Sequence, residues 1–174
     1  MRSSAPRKFS TEPQLYTAAI RALMRRAYSV HEMKEYLKAR AENLDDAAAA
    51  LQRLREQNYI DDARYARDYA RSRAQGRRQG KFRIARELRA RGVPDRHIEA
   101  ALDSVFAETD ENALVRARIE RKLRQLRGSL DEKKRASIYR SLLRAGFSSD
   151  AIRSELRAAV KSATTEAAED VFED

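Results

Sequence analysis

The chain has no cysteine and no tryptophan, only two histidines, and just 5 glycines and 3 prolines in 174 residues. Each absence excludes something. Without cysteine there is no disulfide framework and no thiolate metal site, and His31 and His97 alone cannot build a histidine-rich one. Nowhere do the roughly 18 apolar residues of a membrane-spanning helix run together. The basic segment from Met1 to Phe9 leads into no apolar stretch of the secretory type, so a cytoplasmic protein without membrane attachment is expected. The scattered glycines form neither a GxxxxGK[ST] loop nor GxGxxG, which argues against nucleotide hydrolysis. No cofactor is implied.

What is present favours helices. Ala, Leu, Arg, Glu and Lys dominate, and these residues lose least on entering a helix, so the fold class is all-α. The formal net charge is +10, which suits a polyanionic partner such as nucleic acid or an acidic protein surface. That charge is concentrated: residues 64–91 hold eleven cations against only Asp68 and Glu87. A shorter second cluster comprises Arg116, Arg118, Arg121, Lys122, Arg124 and Arg127, opposed by Glu120. The last ten residues reverse sign, with Glu166, Glu169, Asp170, Glu173 and Asp174.

The sequence repeats itself. Met33 to Leu51, Ile84 to Leu102 and Ile138 to Leu156 align without gaps, at offsets of 51 and 54 residues. Leu88, Gly92, Val93, Ile98 and Leu102 match Leu142, Gly146, Phe147, Ile152 and Leu156, while the first copy diverges and has Glu42 at an apolar position. Apolar residues at three- and four-residue spacing predict two helices in each segment, joined where Gly92 or Gly146 can take φ > 0. Ser29 and Glu32 have the spacing of a capping box, and Pro94, Asp95 and Ser148 suit a first turn. Preceding helices, Leu15 to Arg26, Asp62 to Arg73 and Asn112 to Leu126, bring the total to nine.

The expected organisation is therefore a disordered basic N-terminus over 1–13, three-helix repeats over 14–60, 61–108 and 109–163, and an acidic tail over 164–174. Modules of about fifty residues bury little apolar surface alone, so stacking into an elongated, curved helical-repeat monomer is expected. Arg73 to Gly80, lacking apolar anchors, reads as a flexible link.

No catalytic constellation is evident. His31 and Glu32 could open an HExxH zinc motif, but Glu35 stands where the second histidine belongs. The pairs Asp45, Asp46 and Asp61, Asp62 could hold Mg²⁺, yet both precede helical runs, where Asp caps free amides. The arginines remain. At 100° per residue Arg64, Arg67 and Arg71 fall within about 60° of one another, with Tyr65, Ala66 and Tyr69 opposite as core contacts. Together with Arg77, Arg78, Lys81, Arg83 and Arg86 they are the candidate binding residues. Such a patch could grip phosphates or dock on carboxylates of a protein. Without a helix-turn-helix or zinc-finger spacing, any DNA contact should read backbone rather than bases.

These motifs match a family. Asn58 to Ala66 (NYIDDARYA) resembles the GYLDDxRFA signature between the first two repeats of the RecX family. Gly80 to Leu88 (GKFRIAREL) with Arg91, Gly92 and Val93 is similar to the family's second-repeat core, and Leu143 to Ser148 (LRAGFS) with Asp150 and Ile152 to its third. The likeness runs from about Leu15 to Val160. Asn58 replaces a usual glycine, though Asn tolerates the left-handed conformation, and Ala63 replaces a common acidic residue. The resemblance implies a non-catalytic regulator lying in the groove of a RecA filament on single-stranded DNA and suppressing RecA's ATPase, recombinase and coprotease activities. The rival expectation is a nonspecific nucleic-acid-binding architectural protein that acts without RecA.

Overall fold

Nine α-helices account for most of the residues that the computed structural model describes, 8–125 and 130–169, with side chains described to residue 161. They are α1 (Glu12–Leu23), α2 (Val30–Lys38), α3 (Leu44–Glu56), α4 (Asp62–Arg71), α5 (Lys81–Arg89), α6 (Asp95–Ala107), α7 (Glu111–Gln125), α8 (Glu132–Arg144) and α9 (Ser149–Glu169). The described residues contain no β-strand, only an isolated parallel bridge between Phe9 and Ala41. The caps explain several boundaries. The Ser29 side chain accepts from the Glu32 amide while the Glu32 carboxylate accepts from the Ser29 amide, completing the expected capping box at α2. Gly92 and Gly146 end α5 and α8 with φ of 71° and 89°, and Asn58 takes φ 57° after α3.

By compactness the chain forms two units, one comprising Met1–Tyr69 with Glu87–Ala101, the other Ala70–Arg86 with Leu102–Asp174. The division runs through α4, α5 and α6, so the residues of the middle repeat are apportioned between the units. In the first unit α1, α2 and α3 pack on one another around Leu15, Met33, Leu37 and Leu54, all fully buried. Each such side chain contributes about 1.5–3 kcal/mol relative to exposure. In the second, α7, α8 and α9 enclose Val115, Ile119, Leu142, Phe147 and Ile152.

Each unit also contains one joint between successive repeats, and the two joints are built at equivalent positions. In the first unit the Ser29 hydroxyl donates to the Arg91 carbonyl (2.6 Å), and a Cβ on Gly92 would come within 2.4 Å of the His31 ring. In the second unit the Gly80 amide donates to the Ala145 carbonyl (2.9 Å) and the Phe82 amide to the Gly146 carbonyl (3.1 Å). A Cβ on Gly146 would lie 2.3 Å from the Arg83 nitrogen. Ser29 and Gly80 are related by the offset of 51, Gly92 and Gly146 by that of 54.

Three expectations need amendment. Arg73 to Gly80 is not a loose link: Ser72–Gly76 is a π-helical turn continuing α4, Gln79 and Gly80 are buried, and Gly80 is hydrogen-bonded to Ala145. The anchors are backbone groups of residues far away in sequence, which apolar patterning does not register. Within the segment over 1–13, residues 8–13 are ordered, because the Phe9 amide donates to Arg40 O and its carbonyl accepts from Glu42 N, bracing a turn that lacks a left-handed glycine. Helix α9 continues beyond Thr164 to Glu169. Residues 1–7, the end of the tail over 170–174, and Leu126 and Arg127 lie outside the described residues.

Candidate nucleic-acid interface

Helix α4 presents its residues as the helical spacing requires. Tyr65 and Ala66 are buried and Tyr69 half-buried, with the two tyrosine rings stacked at 6.0 Å, while Arg64, Arg67 and Arg71 are exposed. Arg64 nevertheless has structural work: its guanidinium donates to the carbonyls of Asn58 (2.7 Å) and Tyr59 (3.4 Å), closing the turn after α3. Arg64 and Arg67 belong to the first unit; Arg71, Arg77, Arg78, Lys81, Arg83 and Arg86 belong to the second. Of these, Arg83 is half-buried and the others are exposed. The aspartate pairs sit at helix starts as expected: Asp61 accepts from the Arg64 amide (2.6 Å), and Asp62 accepts from the Val30 amide (2.9 Å). Among the described residues no group of three His, Cys, Asp or Glu side chains could hold a metal ion.

The second unit brings together two clusters that are separate in sequence. Arg118, on α7, is half-buried, donates from Nη2 to the Arg77 carbonyl (2.9 Å), and lies 5.8 Å from the Phe147 ring. Its Nε is buried with no hydrogen-bond partner among the described residues. Burial, then repulsion from Arg121, Arg83 and Arg78, holds its pKa below the ordinary guanidinium value. Phe82, in the first turn of α5, is 59% exposed with the Lys81 ammonium 5.7 Å from its ring centre. The backbone itself is arranged around this spot: Arg78 takes φ 50°, a left-handed conformation uncommon outside glycine.

In the first unit one carboxylate gathers two arginines. The Glu32 carboxylate, on the exposed-to-buried border, accepts from Arg91 (2.8 Å), Arg26 (3.2 Å), the Ser29 amide (3.1 Å) and the Tyr65 hydroxyl (3.4 Å). The residue equivalent to Glu32 at the 51-residue offset is Arg83. One joint therefore places a carboxylate where the other places a cation. Sequence reasoning marked Arg83 but not its association with Arg118 and Arg121, and it passed over Phe82. The concentration of arginine in α7 was visible; its neighbours were not.

The class that this fold defines is an all-α protein of three-helix repeats, with no helix among the described residues long and apolar enough to cross a membrane. Residues 61–102 match the family model described as RecX, second three-helix domain, and residues 109–156 that of RecX, third three-helix domain. The regulatory protein RecX of Chlorobaculum tepidum is 33% identical over 139 residues, covering 80% of this chain and 84% of its own. That of Halorhodospira halophila is 34% identical over 82% of this chain and 86% of its own. The crystal structure of RecX from Lactobacillus salivarius shares the fold, with a TM-score of 0.75 at 22% identity over 84% of this chain and 95% of that one. The chain belongs to the RecX family of regulatory proteins.

Proposed function

We propose that this protein is a non-catalytic, monomeric, cytosolic regulator that binds RecA filaments on single-stranded DNA and mainly inhibits their ATPase, recombinase and coprotease activities. Family membership carries the RecA part of this reading. The observation on the molecule itself that supports it is the crowding of cations in 64–91, together with Arg118 and Arg121 from α7, which suits a partner bearing regularly spaced phosphates. Nothing in the reading requires a cofactor.

The test is RecA-catalysed ATP hydrolysis on single-stranded DNA, followed as this protein is added. A filament regulator is expected to inhibit when far fewer copies are present than would cover the DNA. An architectural nucleic-acid binder acting without RecA would interfere only near saturating coverage of the strand, and that result would overturn the proposal.

A further inference from the structure

We infer that the groove between α8 and α9, in the third repeat, is a docking site for an acidic amphipathic helix of a partner protein. The inference goes beyond the proposed function and rests on no part of it.

The groove encloses about 700 Å³ and is apolar along its floor, where Ala136 and Tyr139 of α8 meet Leu156 and Val160 of α9, each half-buried. Its rim is cationic. Arg135 and Arg140 on α8 and Arg153 and Arg157 on α9 are all exposed, and Glu132 is the one acidic residue among those described as lining it. Arg153 has Asp150 at 3.7 Å, whereas Arg135, Arg140 and Arg157 have no carboxylate partner among the described residues.

This pattern sets the shape of an occupant. Arg153 and Arg157 are one turn apart on α9, as are Leu156 and Val160, so a charged row runs beside an apolar one. From Arg153 to Val160 the helix rises about 10 Å, or two turns. A second helix laid there would bury apolar side chains at i, i+3, i+4 and i+7 and hold flanking carboxylates against the guanidiniums. The floor argues against a nucleic acid, whose phosphates would satisfy the rim while leaving Leu156 and Val160 wet. The chain's own acidic residues are carried away from the floor, because α9 continues beyond Lys161 to Glu169, about 12 Å further on.

The first repeat contains the same groove with different chemistry. Between α2 and α3, Leu51, Gln52 and Glu56 line the cavity at the positions that Leu156, Arg157 and Lys161 hold in the third repeat, at the combined offset of 105 residues. Ala48 likewise stands for Arg153, and Lys34 for Tyr139. The packing of a repeat therefore accounts for the cleft but not for the arginines on α9 or the aromatic ring in its floor.

The experiment is fluorescence anisotropy of the full chain with a labelled designed peptide, its leucines at i, i+3, i+4 and i+7 flanked by glutamates. A counterpart with serine for each leucine and a thymidine oligonucleotide are the comparison probes. The serine peptide is expected to bind at least about tenfold more weakly, since it has charge without an apolar face. Arg140→Glu with Arg157→Glu, both at exposed positions where folding is not at stake, is expected to weaken the leucine peptide about tenfold. The charge-matched pair Lys38→Glu and Arg55→Glu, on the first-repeat groove, is expected to weaken it no more than about twofold, through the general field alone.

Equal losses in the two double variants, or equal binding of the leucine and serine peptides, would overturn the groove and leave net charge as the whole attraction. A loss in the Arg140 and Arg157 variant confined to the oligonucleotide would assign the rim to nucleic acid and overturn the choice of partner. Phe172→Ser, in the acidic end of this chain, is expected to leave peptide binding unchanged; tighter binding would show that end competing for the groove and overturn a partner in trans.

Discussion

The two joints solve one packing problem with different chemistry. Both seat a left-handed glycine against the start of a helix in the preceding repeat, yet the first joint is filled and neutralised by side chains and the second is closed by backbone groups. At the first, His31 occupies the space beside Gly92 and Glu32 gathers Arg26, Arg91 and Tyr65. At the second, Gly80 and Gly146 let two backbones touch, and Arg121, Arg83 and Arg78 stand near enough to Arg118 to repel its charge. The comparison teaches that geometry at such a joint is set by glycine and a carbonyl, whereas its electrostatics are set independently by one position, Glu32 or Arg83.

The sharpest way to break this comparison is to add one methyl group on each side. Gly146→Ala forces a Cβ to 2.3 Å from a backbone nitrogen and 2.8 Å from the Gly80 carbonyl while retaining φ 89°. A loss of about 3 kcal/mol or more is expected, from the left-handed penalty and the unrelievable overlap. Gly92→Ala meets the Cγ and Cβ of His31, and because Cβ is fixed to the start of α2 the overlap is relieved only by a shift of that helix start, so a loss of about 2 kcal/mol is expected. Urea unfolding of both variants checks the difference; equal losses would show that the second joint is not uniquely backbone-limited.

Removing the ionic centre of the first joint comes next in size. Glu32→Ala strips acceptors from Arg26, Arg91, Tyr65 and the Ser29 amide together, and a destabilisation of about 2 kcal/mol is expected. A shift in unfolding midpoint within experimental error would mean that His31 and Ser29 hold the joint alone.

The smallest effect is a pH dependence confined to the first joint. Burial, then the Glu32 charge, raises the Tyr65 pKa above its ordinary 10.0, so the folded state keeps the proton more tightly than the unfolded chain. The stability this confers is fully present below the unfolded pKa and is lost as pH rises through the folded one. Unfolding followed across that alkaline range should show the loss in the native protein and a flatter profile in Tyr65→Phe. Identical profiles would remove Tyr65 from the account.

Much of the architecture was legible in the sequence because it is written in local signals. The Ser29 and Glu32 capping box, the left-handed Gly92, Gly146 and Asn58, and the burial of Tyr65 opposite Arg67 each depend on residues within a turn or two. The Arg73 to Gly80 segment was misjudged for the converse reason. Its order depends on Ala145 and Gly146, and a glycine used for close approach has the same sequence signature as one used for freedom. The Arg118 cluster was hidden likewise, since Arg78 and Arg83 join Arg118 only when the second joint closes. Arg64 was placed on the correct face, but its bond to Asn58 O belongs to a turn whose shape the periodicity does not encode.

A coupling made from main-chain atoms has a consequence for how such a protein can change over generations. The bonds from Gly80 to Ala145 and from Phe82 to Gly146 are indifferent to the side chains that residues 81–83 carry, provided the two glycines remain. Substitutions there can alter what the surface attracts without loosening how the helices stack. The first joint lacks that latitude, because Glu32, which fastens it through the Ser29 amide, also sets its charge. Change of surface charge within a lineage of such chains should therefore be cheapest around the second joint, where adhesion and charge are carried by different atoms.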